Sequence, residues 1–150
     1  MAPHWIKLLL SFLTLWGLAT AQNYDLDQAI GMMNQARQSR GLKPLLWSND
    51  LTNSATWWAT QMAIGAAPFA HAPPQYRQKQ GETLYLAEGS LWNGQPISTG
   101  REQWLHWSQI MWASTTHIGC ARTFGIGQPY QVFDVCRFYP EGNFLGQKPF

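Results

Sequence analysis

The feature that most constrains this chain is a pair of cysteines, each set in a run of bulky, strand-forming residues. One run passes through Ile118-Gly119-Cys120-Ala121-Arg122, the other from Tyr130 through Val135-Cys136-Arg137-Phe138. Both are rich in β-branched or aromatic residues. Gly125-Ile126-Gly127-Gln128-Pro129 turns between them, and Pro140-Glu141-Gly142-Asn143 stops the second. Ile110-Met111-Trp112 reads as a further strand, so the C-terminal half is predicted to be sheet. The cysteines stand 16 positions apart. Flanking a hairpin in an oxidising compartment, they are expected to pair. Closing a loop near that size is worth about 3 kcal/mol in the chain-entropy model. Two buried free thiols, or a bridge to another chain, are the alternatives.

The N-terminus sets the compartment. His4 and Lys7 precede an apolar run, Leu8 to Leu18, and Ala19-Thr20-Ala21 supplies small residues. Charged, apolar, then small is the order of a secretory signal. The apolar run is short for a span of about 20 residues, so no membrane span is expected after cleavage. Residues 1–21 are therefore read as a signal peptide and 22–150 as one secreted, extracellular domain. A buried N-terminal helix or an uncleaved anchor is the alternative.

Apolar residues make up 45% of the chain and charged residues 12%, a balance that excludes a disordered chain. Loss of Lys7 with the signal lowers the net charge from +2 to +1. Lysine and arginine do not cluster, so no nucleic-acid surface is expected. No Asn-x-Ser/Thr sequon occurs.

Two helices come first. Asp25 or Asp27 caps one running to about Ser39, and Gly41 ends it. Lys43-Pro44-Leu45-Leu46-Trp47 is an extended connector. Ser48 or Asn49 caps the second helix, with Leu51, Ala55, Trp58, Ala59 and Met62 on one face. Met32, Met33, Trp57 and Trp58 read as core. Helices in front and strands behind predict an α+β fold around an antiparallel sheet.

The candidate functional residues are His71, in Phe69-Ala70-His71-Ala72-Pro73-Pro74, Glu82, in Gly81-Glu82-Thr83-Leu84, and His106, in His106-Trp107-Ser108-Gln109. Together with Asn34-Gln35-Ala36-Arg37 and the Cys136-to-Asn143 segment, this order resembles the CAP superfamily of cysteine-rich secretory proteins, venom antigens and pathogenesis-related class 1 proteins. The resemblance spans roughly Leu26 to Phe144. It implies a three-layer α-β-α sandwich and a cleft where His71, Glu82, His106 and a second glutamate converge. Thr83 stands where the family has Asn, and the 24 positions from Glu82 to His106 are fewer than usual. Glu102 is the candidate for the fourth position, with Glu88 the other carboxylate available.

Two neutral imidazoles, His71 and His106, suit a divalent metal such as zinc, at about 2.0–2.1 Å from nitrogen to ion. With two protein nitrogens the ion is weakly bound. Glu82 can ligate or orient a histidine, and a metal-bound water beside it is a hydrolytic arrangement. No His-Glu-x-x-His or Gly-x-Ser-x-Gly element accompanies it. Ala63 to Pro74 is small, apolar and proline-rich, either an exposed lip or a staple on the second helix. The resemblance implies sterol or lipid binding at such a loop. The expected function is a secreted, non-enzymatic binder of sterol or related lipid, serving defence or host interaction. A metal-dependent hydrolase and a protein-interaction scaffold are the alternatives.

Overall fold

A computed structural model of the chain describes residues 26–84, 105–126 and 132–150. The predicted signal peptide lies outside them. Residues 26–38 are helical (α1) and straddle two compact units, Met1–Met32 and Met33–Phe150. The second unit holds every other described element: β1 (Leu46–Trp47), α2 (Asn49–Ala63), a 3-10 turn (Pro74–Tyr76), β2 (Gly81–Leu84), α3 (Leu105–Ile110), β3 (His117–Phe124) and β4 (Val132–Tyr139).

Helix α2 forms where its sequence places it. The Ser48 side chain accepts the Leu51 amide and caps the first turn. Leu51, Ala55, Trp58, Ala59 and Met62 then recur at helical spacing, and all are buried. The C-terminal part of that face packs on Leu84, Ala121, Phe133 and Val135 of the sheet. Burial of the larger side chains is worth about 1.5–3 kcal/mol each. Trp58 is core as predicted. Trp57 of α2 is exposed because its position turns away from that face; on α1, Met32 is exposed and Met33 is half-buried.

The sheet runs β1-β3-β4-β2. Strands β3 and β4 pair antiparallel with Cys120 opposite Cys136, and these two form the disulfide. Strand β2 adds antiparallel to β4, with Glu82 opposite Arg137. The predicted antiparallel sheet carries one exception, the two-residue β1, which pairs parallel to β3. Side chains alternate across a strand, so Phe133, Val135, Arg137 and Tyr139 share the face under α2. The opposite face belongs to α3: a Cβ on Gly81 would collide with the Gln109 carboxamide. Glycine is what permits that close approach.

Ile110-Met111-Trp112 is not a strand. Helix α3 ends at Ile110, and the Met111 amide still bonds to the Trp107 carbonyl. A short apolar run fits either period, and here the Met111 amide takes the helical one. The segment after α3 is clamped by Arg37 of α1. Its guanidinium is fully buried and donates to the carbonyls of Lys43, Ile110, Trp112 and Thr115 at 2.7–3.0 Å. Asn34, one turn earlier, pairs with both backbone groups of Leu45 as a neighbouring strand would. Gly41, at a φ of 70°, closes α1 as expected.

Candidate functional site

The loop after α2 delivers His71, and strand β2 delivers Glu82. His71 Nδ1 lies 2.7 Å from Glu82 Oε1, and the same oxygen accepts the Ala72 amide at 2.9 Å. The carboxylate is closed off, its side chain 1% exposed, while the His71 side chain is 51% exposed. Glu82 therefore anchors an imidazole that faces outward. Across the sheet, Arg137 Nη2 stands 3.0 Å from Glu82 Oε2, with the arginine fully buried. Arg77 braces the same loop by donating to the Ala72 carbonyl.

His106 comes from the opposite layer, on the first turn of α3. Its ring lies 6.1 Å from that of His71, centroid to centroid, in an edge-to-face arrangement. Burial holds the His106 imidazole below its ordinary range, and the nearby His71 adds to the effect. His71, Glu82 and His106 thus meet at the β2 edge of the sheet. Glu88 and Glu102 lie outside the described residues.

The position of α3 is fixed by a polar lock. Gln109 accepts the Gly142 amide at 2.9 Å and donates to the Thr115 hydroxyl, which donates to the Pro140 carbonyl. Ser108 donates to the Asn143 side chain at 2.6 Å, and Asn143 in turn donates to the Leu105 carbonyl. The two sequence segments that carry the family resemblance are therefore docked on each other.

Glu82 Oε1 is engaged by His71 and the Ala72 amide, while Oε2 is buried facing Arg137 as an ion pair without a hydrogen bond, so the carboxylate is turned toward His71. Among the described residues no group of three His, Cys, Asp or Glu side chains is placed to hold a metal. Among the described residues, the imidazoles of His71 and His106 are the nitrogens facing the cleft that could serve an ion. Arg137 was missed in the sequence. Its signal was an arginine at an inward strand position, between Val135 and Tyr139.

The loop beyond α2 both packs and protrudes. Ala63 and Ala72 are buried and Ala67 packs on the core. Trp58 donates its indole N–H to the Ala70 carbonyl, and the Ile126 amide bonds to the Ala63 carbonyl. From this braced frame Ile64, Phe69 and Ile126 project, 50%, 39% and 76% exposed.

Fold and motif arrangement together define a family, and the chain belongs to it: the model of the Cysteine-rich secretory protein family (CAP) matches residues 30–138. Among curated relatives, the "Pathogenesis-related protein PR-1" of Medicago truncatula is 31% identical over 83% of this chain and 78% of its own length. Among solved structures, "Structure of BmVAL-1" superposes with a TM-score of 0.59 at 24% identity, covering 71% of this chain and 64% of that one. "Crystal structure of NaASP2 with Zn2+" gives 0.57 at 19% identity, covering 73% and 66%. These structures share the α-β-α sandwich. No helix among the described residues is long and apolar enough to cross a membrane.

Proposed function

We propose that this chain is a secreted CAP-domain protein that binds a sterol or related lipid without catalysing its conversion, in a defence or host-interaction role. The observation that carries this reading is the exposure of Ile64 and Phe69 on the loop after α2, and of Ile126, whose amide is tied to Ala63, beside residues packed into the core. Apolar side chains left exposed beside a braced loop are available to an apolar partner. The family membership supports the same reading, as do the disulfide and the signal-like segment 1–21. Secretion with cleavage after Ala21 is part of the proposal, read out by N-terminal sequencing of the exported protein.

The test is retention of labelled sterol and fatty acid by the secreted protein and by the triple variant Ile64→Ser, Phe69→Ser, Ile126→Ser. The wild type should hold one of the lipids and the variant should lose it while keeping its melting temperature. Equal retention would remove the patch from the function.

One observation favours a second ligand at the cleft. His71 and His106 lie edge to face, and a relative's solved structure is named for Zn2+. A divalent ion on these two imidazoles, its other positions filled by water, fits the donor set, and its binding is weak. Calorimetric zinc titration of wild type against His71→Ala reads it directly.

A further inference from the structure

Arg37 and Arg137 are both fully buried, and they are used in opposite ways. Arg37 turns its nitrogens onto backbone carbonyls and ties segments together. Arg137 bonds to none: its Nε, Nη1 and Nη2 are shut off from solvent and make no hydrogen bond among the described residues. It occupies an inward position of β4, in line with Phe133 and Val135 beneath α2. Aliphatic residues in such positions pack well, and replacing buried ions by apolar groups is often neutral or stabilising. Among the described residues this guanidinium ties no segments together by hydrogen bonds. It faces Glu82, its cross-strand partner, at 3.0 Å. Burial lowers the Arg137 pKa, Glu82 raises it, and Arg77 lowers it again, as befits a charge kept in place by a single carboxylate.

The two oxygens of that carboxylate have different duties. Oε2 meets Arg137; Oε1 meets His71 and the Ala72 amide. The Ala72 amide can only donate, so Oε1 acts as an acceptor. An acceptor 2.7 Å from an imidazole nitrogen calls for the proton on that nitrogen. We propose that Arg137 is a positioning residue of the cleft: standing opposite Oε2, it keeps the Glu82 carboxylate turned with Oε1 toward His71, which fixes the proton on Nδ1 and leaves Nε2 bare. The exposed edge of His71 is then an acceptor, open to a donor group or a cation. The inference rests on reading His71, Glu82 and His106 as a binding cleft, and adds what decides the hydrogen-bonding character of its exposed imidazole.

The experiment is long-range proton–nitrogen NMR of histidine-labelled protein, free of lipid and metal, at a pH well above the ordinary imidazole range. Wild type should show His71 as a single Nδ1–H tautomer. Arg137→Gln should lose that pattern and show both tautomers, and Arg137→Lys, which keeps the charge, should return toward wild type. Melting temperatures of the same proteins separate loss of fold from loss of positioning. A wild-type His71 protonated on Nε2 overturns the proposal, with or without a folded variant. So does a folded Arg137→Gln with the wild-type pattern, or identical spectra from the Gln and Lys variants. Because the spectra are taken without ligand, a failed lipid or zinc titration removes the binding reading and leaves this inference standing, and the reverse also holds.

Discussion

Gln109 and Gly142 are joined across 33 positions of sequence by a hydrogen bond of 2.9 Å from the Gly142 amide to the Gln109 side chain. Gln109 is buried, and its other end donates to Thr115. Replacing it with Leu leaves the Gly142 amide and the Thr115 hydroxyl short of a partner. Leaving a buried polar group unsatisfied costs about 1–3 kcal/mol. Urea unfolding should show a loss of that size. Because His106 sits on the same helix, the nuclear Overhauser contact between the His71 and His106 rings should also weaken.

The disulfide should matter to stability and not to the cleft. Cys120 and Cys136 pair across β3 and β4, while Glu82 and Arg137 lie on the other face of the sheet. The double variant Cys120→Ala, Cys136→Ala should lose about 3 kcal/mol, measured by denaturant unfolding against the oxidised wild type. Its His71 tautomer should be unchanged. A shifted tautomer would show that the hairpin depends on the bridge for its register.

Arg37 should be among the costliest single positions. Its guanidinium satisfies four carbonyls in three directions, and charge-assisted hydrogen bonds contribute about 1.5–3 kcal/mol each without being additive. Arg37→Met should destabilise by at least about 3 kcal/mol. Arg37→Lys should fall between, since an ammonium lacks the planar fork. Equal stability of the Met variant and wild type would contradict the clamp.

His106 gives a pH dependence of known sign. Its folded pKa is held below the ordinary value of about 6.5, so below that pH the unfolded chain binds the proton more readily. Stability is then full above the ordinary value and falls as the solution is acidified through it, down to the lowered folded pKa. His106→Gln should flatten the acid side of the stability curve between those two points. An unchanged slope in that window would place the acid sensitivity elsewhere.

Much of this architecture was legible in the residues. Ser48 with Leu51, Ala55, Trp58, Ala59 and Met62 declares a capped helix, because cap and period agree. Strands β3 and β4 are legible from their β-branched and aromatic content. Strand β1 is not, since two residues carry no period and its pairing is set by distant β3. Ile110-Met111-Trp112 deceived for a related reason: three bulky residues suit either period, and the segment is held by the Trp107 carbonyl and by Arg37, some 70 positions away. The nearness of His71, Glu82 and His106 followed from the family resemblance rather than from spacing. The part played by Arg137 became visible only once register put it opposite Glu82.

The lodging of the two rings on different storeys of the molecule has a consequence. One rides on the tail of α2's loop, the other on α3. Neither storey alone can assemble the pair. Because one ring comes from the loop after α2 and the other from α3, the 6.1 Å spacing between them changes whenever either layer shifts on the sheet.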